Sequence, residues 1–179
     1  MAGWTVLMKK IVYLSLGSNL GNREEMLRTA IEALHSEDCR IERVSPVYET
    51  EPMYLTAQGE FLNLVVEAHS TLFPVRLLTR IARIERETGR RRSVRNGPRL
   101  IDIDIVLFGK FVVNTKDLQI PHPRMAERRF VLEPLVELAP ELRHPVTGKT
   151  MRQLLADLPP ALIRRTAIDI SAPGLSRQV

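Results

Sequence analysis

The order of strand-like and helix-like segments constrains the fold of this chain most. Four runs rich in β-branched and apolar residues predict strands, at 10–16, 39–48, 61–69 and 100–108. Apolar residues at helical spacing lie between the first and second runs and between the third and fourth. No helical pattern separates the second run from the third, so these two strands are expected to be antiparallel. The order β-α-β-β-α-β predicts an α+β fold with a ferredoxin-like core, a mostly antiparallel sheet and flanking helices.

Local signals place the ends of several elements. Asn22 followed by Glu25 predicts the N-cap of the first helix, and Gly89 predicts the end of the second. We expect a loop at 49–59 and a hairpin turn at 109–110 that leads into residues 111–113. Residues 129–138 predict a helix interrupted by a proline, residues 151–158 a small helix, and the last dozen residues a frayed tail.

Length and composition limit the number of domains and the cellular location that this chain can have. A chain of 179 residues suits one compact domain, which we place at residues 9–158 with extensions at 1–8 and 159–179. Cys39 is the only cysteine, so no internal disulfide can form and a cytoplasmic location is expected. No apolar run approaches the roughly 20 residues that a membrane span requires. We therefore expect no membrane partner, and we expect a monomer.

Two aspartates provide the first chemical signal. Side chains alternate along a strand, so Asp102 and Asp104 share one face, about 7 Å apart. Two carboxylates at this spacing repel each other unless a cation lies between them, and Mg²⁺ commonly takes one or two carboxylates plus substrate phosphates. The alternative is a solvent-facing edge strand. A stretch containing five arginines precedes the pair and favours a nucleoside triphosphate site: Arg90, Arg91, Arg92, Arg95 and Arg99.

Three further segments are individually weak signals. The turn Gly17-Ser18-Asn19 follows the first strand, but it lacks the features of a phosphate-binding loop. Phe61 and Asn63 share a strand face, where a ring and an amide can stack a flat heterocycle and bind its polar edge. The loop at 121–124 contains a histidine and an arginine that can bind phosphate or simply lie on the surface.

Taken in order, these segments resemble one family, 6-hydroxymethyl-7,8-dihydropterin pyrophosphokinase. The run from Gly97 to Asp104, Gly-Pro-Arg-Leu-Ile-Asp-Ile-Asp, followed by Pro-His-Pro-Arg at 121–124, is the most specific part. The resemblance covers residues 9–158. It implies transfer of pyrophosphate from ATP, as co-substrate, to the hydroxymethyl group of the pterin, with release of AMP, in folate biosynthesis. It also implies two Mg²⁺ ions.

The resemblance further implies roles for individual residues. Asp102 and Asp104 match the metal-holding positions and form the catalytic set together with Arg90 and Arg92. The positions that match contacts to ATP are Glu85, Arg92, Arg99, Ile105, His122 and Arg128. The positions that match contacts to the pterin are Gly17, Thr50, Pro52, Met53, Phe61, Asn63 and Phe130.

Two other classes of protein fit parts of the sequence. A ferredoxin-like sheet with a net charge of +5 can belong to a nucleic-acid-binding module. Aromatic residues are only 5% of the chain, however, and no RNA-binding run of the Lys/Arg-Gly-Phe type occurs, so we expect no nucleic-acid partner. A nucleotide-sensing domain without catalysis is the third possibility, and formation of AMP distinguishes it from the enzyme.

Overall fold

The computed structural model describes residues 8–52, 58–89 and 98–174. Within these ranges the chain forms eight strands, four α-helices and a short 3₁₀ helix at Met125–Glu127. The strands are β1 (Lys10–Ser18), β2 (Cys39–Val44), β3 (Tyr48–Thr50), β4 (Phe61–Ser70), β5 (Asp102–Phe108), β6 (Val113–Asn114), β7 (Gln119–Ile120) and β8 (Ile163–Arg165). The helices are α1 (Arg23–Leu34), α2 (Pro74–Glu87), α3 (Arg129–Leu138) and α4 (Met151–Ala156).

The main sheet is antiparallel at every pairing between the described strands. β1 lies between β5 and β4, and β2 and β3 follow each other along the far side of β4. β8 then pairs with β3. Helices α1 and α2 cover one face of this sheet, and α3 with α4 covers part of the other. The predicted α+β fold with a ferredoxin-like core is therefore confirmed.

The period-2 alternation of β1 divides the apolar residues between two cores. Val12, Leu14 and Leu16 are fully buried against the side of α1 and α2. Tyr13 points to the other face and packs with residues of α3 and α4, such as Leu135. Both faces of the central strand are thus buried from Val12 onward, which fixes its register.

A β-bulge interrupts the alternation of β5. Tyr13 pairs with Leu107 and Leu14 pairs with Ile105, so Val106 is an extra residue without an opposite partner. The Val106 carbonyl accepts a hydrogen bond from the backbone N–H of His122 at 2.9 Å. The bulge thereby attaches the loop after β7 to the strand that carries the aspartates.

Helix α3 is held over one half of its sheet face. Arg43 donates from Nη1 to the carbonyl of Leu138, the last residue of α3, at 2.8 Å. The same guanidinium pairs with the Glu67 carboxylate, which also accepts from the Tyr13 hydroxyl. These contacts fix the C-terminal end of α3 near β2, so α3 and α4 pack on the part of this face around Tyr13, Val65 and Leu107.

The predicted ends of the first two helices are confirmed. The Asn22 side chain accepts from the backbone N–H of Glu25 at 3.2 Å, so it caps α1. Gly89 follows α2 with a φ of 94°, a left-handed conformation that suits glycine after a helix.

Several sequence expectations were wrong. Residues 39–48 form two strands rather than one, and the expected loop at 49–59 begins with two residues of β3. Residues 111–113 do not return along β5; Phe111 packs edge-on against Phe108, and β6 pairs with β7 instead. Pro134 is buried inside a continuous α3.

The expected frayed tail is also wrong for its described part. Within this part, Ile170 and Ala172 are buried in the core that includes residues of α1. Just before the tail, β8 extends the sheet. The sequence Ile-Arg-Arg at 163–165 is too short and too polar to predict a strand without its partner β3. The domain boundary at residue 158 stays a prediction. Among the described helices, none combines the length and hydrophobicity that crossing a bilayer requires.

We expect Ile170→Ala to lower the free energy of unfolding by about 2–4 kcal/mol, because truncating a buried isoleucine leaves a cavity. Leu162→Ala is the matched control, since that side chain is 78% exposed, and it should change stability by less than about 0.5 kcal/mol. Urea unfolding of both variants measures the difference. Equal stability of the two would show that the segment after β8 contributes little to the core.

Candidate active site

The candidate residues lie on the same sheet face, beyond the part that α3 and α4 cover. Gly17 in β1 lies opposite Asn63 of β4 on one side and opposite Asp102 of β5 on the other. Ser15, two residues earlier, lies opposite Asp104. Directly opposite residues project to the same face of a sheet, so these five residues form one continuous surface beside α3.

Gly17 makes room within this surface. A Cβ at this position would lie 3.1 Å from Oδ1 of Asn63 and 3.6 Å from Cδ1 of Phe61. The missing side chain leaves a shallow recess bordered by an amide and an aromatic ring. Any group added at Gly17 would fill that recess.

The polar wall of the recess is already ordered. Asn63 is buried and donates from Nδ2 to Oγ1 of Thr50 at 2.8 Å, which fixes the orientation of its amide. Thr50 is itself buried at the end of β3, with the half-buried Pro52 two residues later. Across the face, the guanidinium of Arg128 lies over the ring of Phe130, 5.6 Å from its centroid.

Each aspartate has an arginine partner. Nη1 of Arg99 donates to Oδ2 of Asp102 at 2.5 Å, and Nη1 of Arg128 lies 3.4 Å from Oδ2 of Asp104. These pairs balance the two carboxylates, so the predicted repulsion between Asp102 and Asp104 is relieved by guanidinium groups. A divalent cation without phosphate has to displace these guanidinium groups in order to bind the two carboxylates.

His122 lies beside the second pair. Burial, with Arg128 and Arg124 nearby, lowers the pKa of His122 to about 4, so the imidazole is neutral at pH 7. Its Nδ1 accepts from the backbone N–H of Arg124 at 3.1 Å, which leaves the proton on Nε2. Nε2 is 3.8 Å from Oδ2 of Asp104. The ring therefore presents a hydrogen-bond donor to this side of the site.

Two predicted contact residues lie on the other side of β5. The buried carboxylate of Glu85 accepts from the backbone N–H of Ile103 at 2.9 Å, which holds the outer edge of the strand between the two aspartates. The Ile105 side chain is buried in the core with α1 and α2, so only its backbone can face a ligand. The roles predicted for both residues in ATP binding stay predictions.

The donor set suits a magnesium ion that arrives with phosphate. Among the described residues, no group of three or more histidine, cysteine or acidic side chains is placed to hold a metal alone. Asp102 and Asp104 instead supply two oxygen-bearing groups on one face, and Mg²⁺ takes its remaining ligands from phosphate and water. The buried Nε of Arg128 finds no hydrogen-bond partner within the described ranges, which fits a site completed by an anion.

Three predicted residues fall outside the described ranges: Arg90, Arg92 and Met53. Two residues of the face were missed by the sequence reasoning. Ser15 could have been found from its strand period with Gly17. The family resemblance placed Asn19, which follows β1, only in a turn that lines the pterin pocket. No partner for its amide was predicted, although a buried asparagine generally needs such partners.

Comparison with known proteins shows one consistent likeness. Residues 13–140 match the family described as 7,8-dihydro-6-hydroxymethylpterin-pyrophosphokinase (HPPK). The chain is 45% identical over 142 residues to the 2-amino-4-hydroxy-6-hydroxymethyldihydropteridine pyrophosphokinase of Bacillus subtilis, a match that covers 79% of this chain and 85% of that protein.

Longer proteins contain a similar segment. The folic acid synthesis protein fol1 of Schizosaccharomyces pombe is 46% identical over 156 residues, which is 87% of this chain but only 21% of that protein. A crystal structure of Plasmodium falciparum HPPK-DHPS superimposes with a TM-score of 0.70 at 20% identity, over 83% of this chain and 45% of that one. This chain thus spans about a fifth of the first relative and less than half of the second.

We predict opposite effects of Arg99→Ala on two ligands. Removing the guanidinium takes away the ion pair between Arg99 and Asp102, so affinity for Mn²⁺ alone should rise roughly two- to fivefold, the contribution of a partly exposed ion pair. Affinity for a non-hydrolysable ATP analogue should fall, because the phosphate contact predicted for Arg99 is lost. Calorimetric titration measures both. The exposed Arg83→Ala, which removes an outer helix pair, should change neither; unchanged Mn²⁺ binding in Arg99→Ala would contradict the pairing described here.

Proposed function

This chain belongs to the 7,8-dihydro-6-hydroxymethylpterin-pyrophosphokinase family, and we propose that it transfers pyrophosphate from ATP to the hydroxymethyl group of 6-hydroxymethyl-7,8-dihydropterin, releasing AMP. The reaction is a step of folate biosynthesis. The proposal extends the family's activity to this chain, whose most similar relatives include proteins several times longer.

One observation supports the proposal above the others. Asn63 on β4 and Asp102 on β5 lie on opposite sides of Gly17, so β1 is the only strand between them. Two strand spacings amount to about 10 Å, so a heterocycle against Asn63 and a polyphosphate at Asp102 lie side by side. That spacing suits a short hydroxymethyl arm reaching from one substrate to the other.

The residues of the recess orient the pterin. Gly17 leaves the space for the flat ring, and Phe61 with Phe130 provides aromatic faces for stacking. Because Thr50 takes one amide hydrogen of Asn63, the Oδ1 atom faces the recess beside Gly17 and can accept from a ring N–H. Pro52 and Met53 complete the proposed pterin set.

The arginines exchange partners when the nucleotide binds. Arg99 and Arg128 leave Asp102 and Asp104 for phosphate oxygens, for which their planar guanidinium groups are well suited. Nε2–H of His122 adds a neutral donor on the same side. We assign Arg90 and Arg92 to the phosphates, and Glu85 and Ile105 to the nucleotide, on the family resemblance.

Asp102 and Asp104 hold the magnesium. We propose two Mg²⁺ ions, which neutralise charge on the phosphates when bound. The protein's part in the transfer is then alignment and charge balance. The hydroxymethyl oxygen forms a bond to the β-phosphorus, the bond from that phosphorus to the α,β-bridging oxygen breaks, and AMP leaves with the electron pair while the hydroxyl proton is released.

The setting of the reaction is also part of the proposal. Cys39 is buried, and burial raises the pKa of its thiol, so the residue behaves as a small apolar side chain rather than as a reactive group. A cytoplasmic location, a monomer, and small-molecule substrates without nucleic acid are proposed with it.

Incubation with ATP, Mg²⁺ and the pterin alcohol should yield AMP and the pterin diphosphate, separable by chromatography. Asp104→Asn should lower kcat by at least about a hundredfold, because the metal-dependent alignment is lost. Arg83→Ala serves as the folded, active control. ADP as the sole nucleotide product, or no turnover by the unmodified protein, would exclude the proposed reaction.

Gly17→Ala should separate the two substrates kinetically. The added methyl group meets Oδ1 of Asn63, and overpacking of this kind costs about 1–3 kcal/mol, which corresponds to a KM for the pterin raised about tenfold or more. The KM for ATP should change less than about twofold, because the phosphate contacts lie across the strand on β5. Parallel increases in both constants would argue against a pterin recess at Gly17.

A further inference from the structure

Asn19 connects two separate segments of the chain at the end of β1. Its backbone N–H donates to the carbonyl of Arg99 at 3.1 Å, and its Oδ1 accepts from the N–H of Arg99 at 2.7 Å. Its Nδ2 donates to Oε1 of Gln58 at 3.1 Å and to the carbonyl of Gly59 at 3.2 Å. Asn19 is only 7% exposed, so both ends of its amide are engaged in a nearly buried position.

The partners of Asn19 lead directly into the two halves of the site. Gly59 lies two residues before Phe61, where β4 begins. Arg99 lies three residues before Asp102, where β5 begins, and also pairs with that aspartate. The side-chain amide of Asn19 therefore bonds both to the segment before β4, which orients the pterin, and to the segment before β5, which holds the carboxylates.

Residue 59 also touches Asn19 through the backbone. A Cβ at residue 59 would lie 3.4 Å from the carbonyl oxygen of Asn19, an ordinary van der Waals distance, so the turn packs against Asn19 without requiring glycine there. β1 itself also links the two strands through its register, but its last paired residues are Gly17 with Asp102 and Ser18 with Leu62. Beyond these pairs, Asn19 continues the connection.

We propose that Asn19 is a positioning residue that sets the distance between the bound pterin and the bound nucleotide. The inference rests on the proposed function and adds to it a residue that touches neither reacting atom. The rate of reaction between two bound substrates depends on their separation, and a displacement of about 1 Å can lower that rate about a hundredfold. Binding of each substrate alone requires only its own half of the site. Loss of Asn19 should therefore lower turnover of the ternary complex more than it lowers either binary affinity.

Steady-state kinetics and separate binding measurements on Asn19→Ala test this. We expect kcat to fall about ten- to hundredfold. The dissociation constants for the pterin alone and for a non-hydrolysable ATP analogue with Mg²⁺ should change less than about threefold, because each half keeps its own contacts. Asn22→Ala is the matched control: it removes an exposed helix cap, so it should lower stability slightly while leaving kcat unchanged.

Two more variants separate positioning from a general structural role. Asn19→Asp keeps the acceptor for Arg99 but places a carboxylate oxygen against the two acceptors of the 58–59 turn, so it should lose much of the same kcat, and urea unfolding checks that each Asn19 variant folds. If neither folds, a lower kcat at unchanged binary affinities in Gln58→Ala carries the test. Gln58→Ala should lower kcat slightly in the unmodified protein and not at all in the Asn19→Ala background.

A kcat within about twofold of the unmodified protein in both Asn19 variants, or a loss matched by weaker binary binding, overturns the proposal. If the unmodified protein forms no AMP, the proposed function fails instead, so the two failures are distinguishable.

Discussion

The pairing of β1 with β4 on one side and β5 on the other is the interaction on which the site depends. Both faces of β1 are buried over most of its length, which excludes a slip by one residue because every side chain would change face. With that register fixed, Gly17 necessarily lies between Asn63 and Asp102. The site is thus a consequence of strand pairing rather than of long loops folding over a ligand.

Charge balance is the second constraint. Asp102 and Asp104 are close enough to repel each other, yet each lies beside a guanidinium group. Arg128 is mostly buried, and it combines an ion pair with a ring contact to Phe130. A ligand that brings both phosphate and metal can pair with all four charged groups at once. Phosphate alone would leave the two carboxylates without a cation, and metal alone would leave the two guanidinium groups without an anion.

Local patterns in the sequence predicted the parts of the fold whose causes are local. The alternation at Asp102 and Asp104, the Asn22 cap and the Gly89 stop all depend on neighbouring residues, and all were confirmed. The hairpin after β5 was wrong because β6 pairs with β7, five to seven residues further along, rather than with β5. The tail was wrong because Ile170 and Ala172 pack against residues far earlier in the chain. The role of Asn19 was invisible for the same reason, since its partners lie about 40 and 80 residues away.

The extra residue at Val106 divides β5 into two parts with independent phase. Before the bulge, the strand alternates between carboxylates and isoleucines; after it, Leu107 projects into the core under α3 and Phe108 into the other. The inserted residue lets Leu107 share the face of Asp102 and Asp104, although it lies an odd number of residues from each of them. Loss of this single residue would force both parts of the strand into one phase, so either the two aspartates or Leu107 and Phe108 would have to change face.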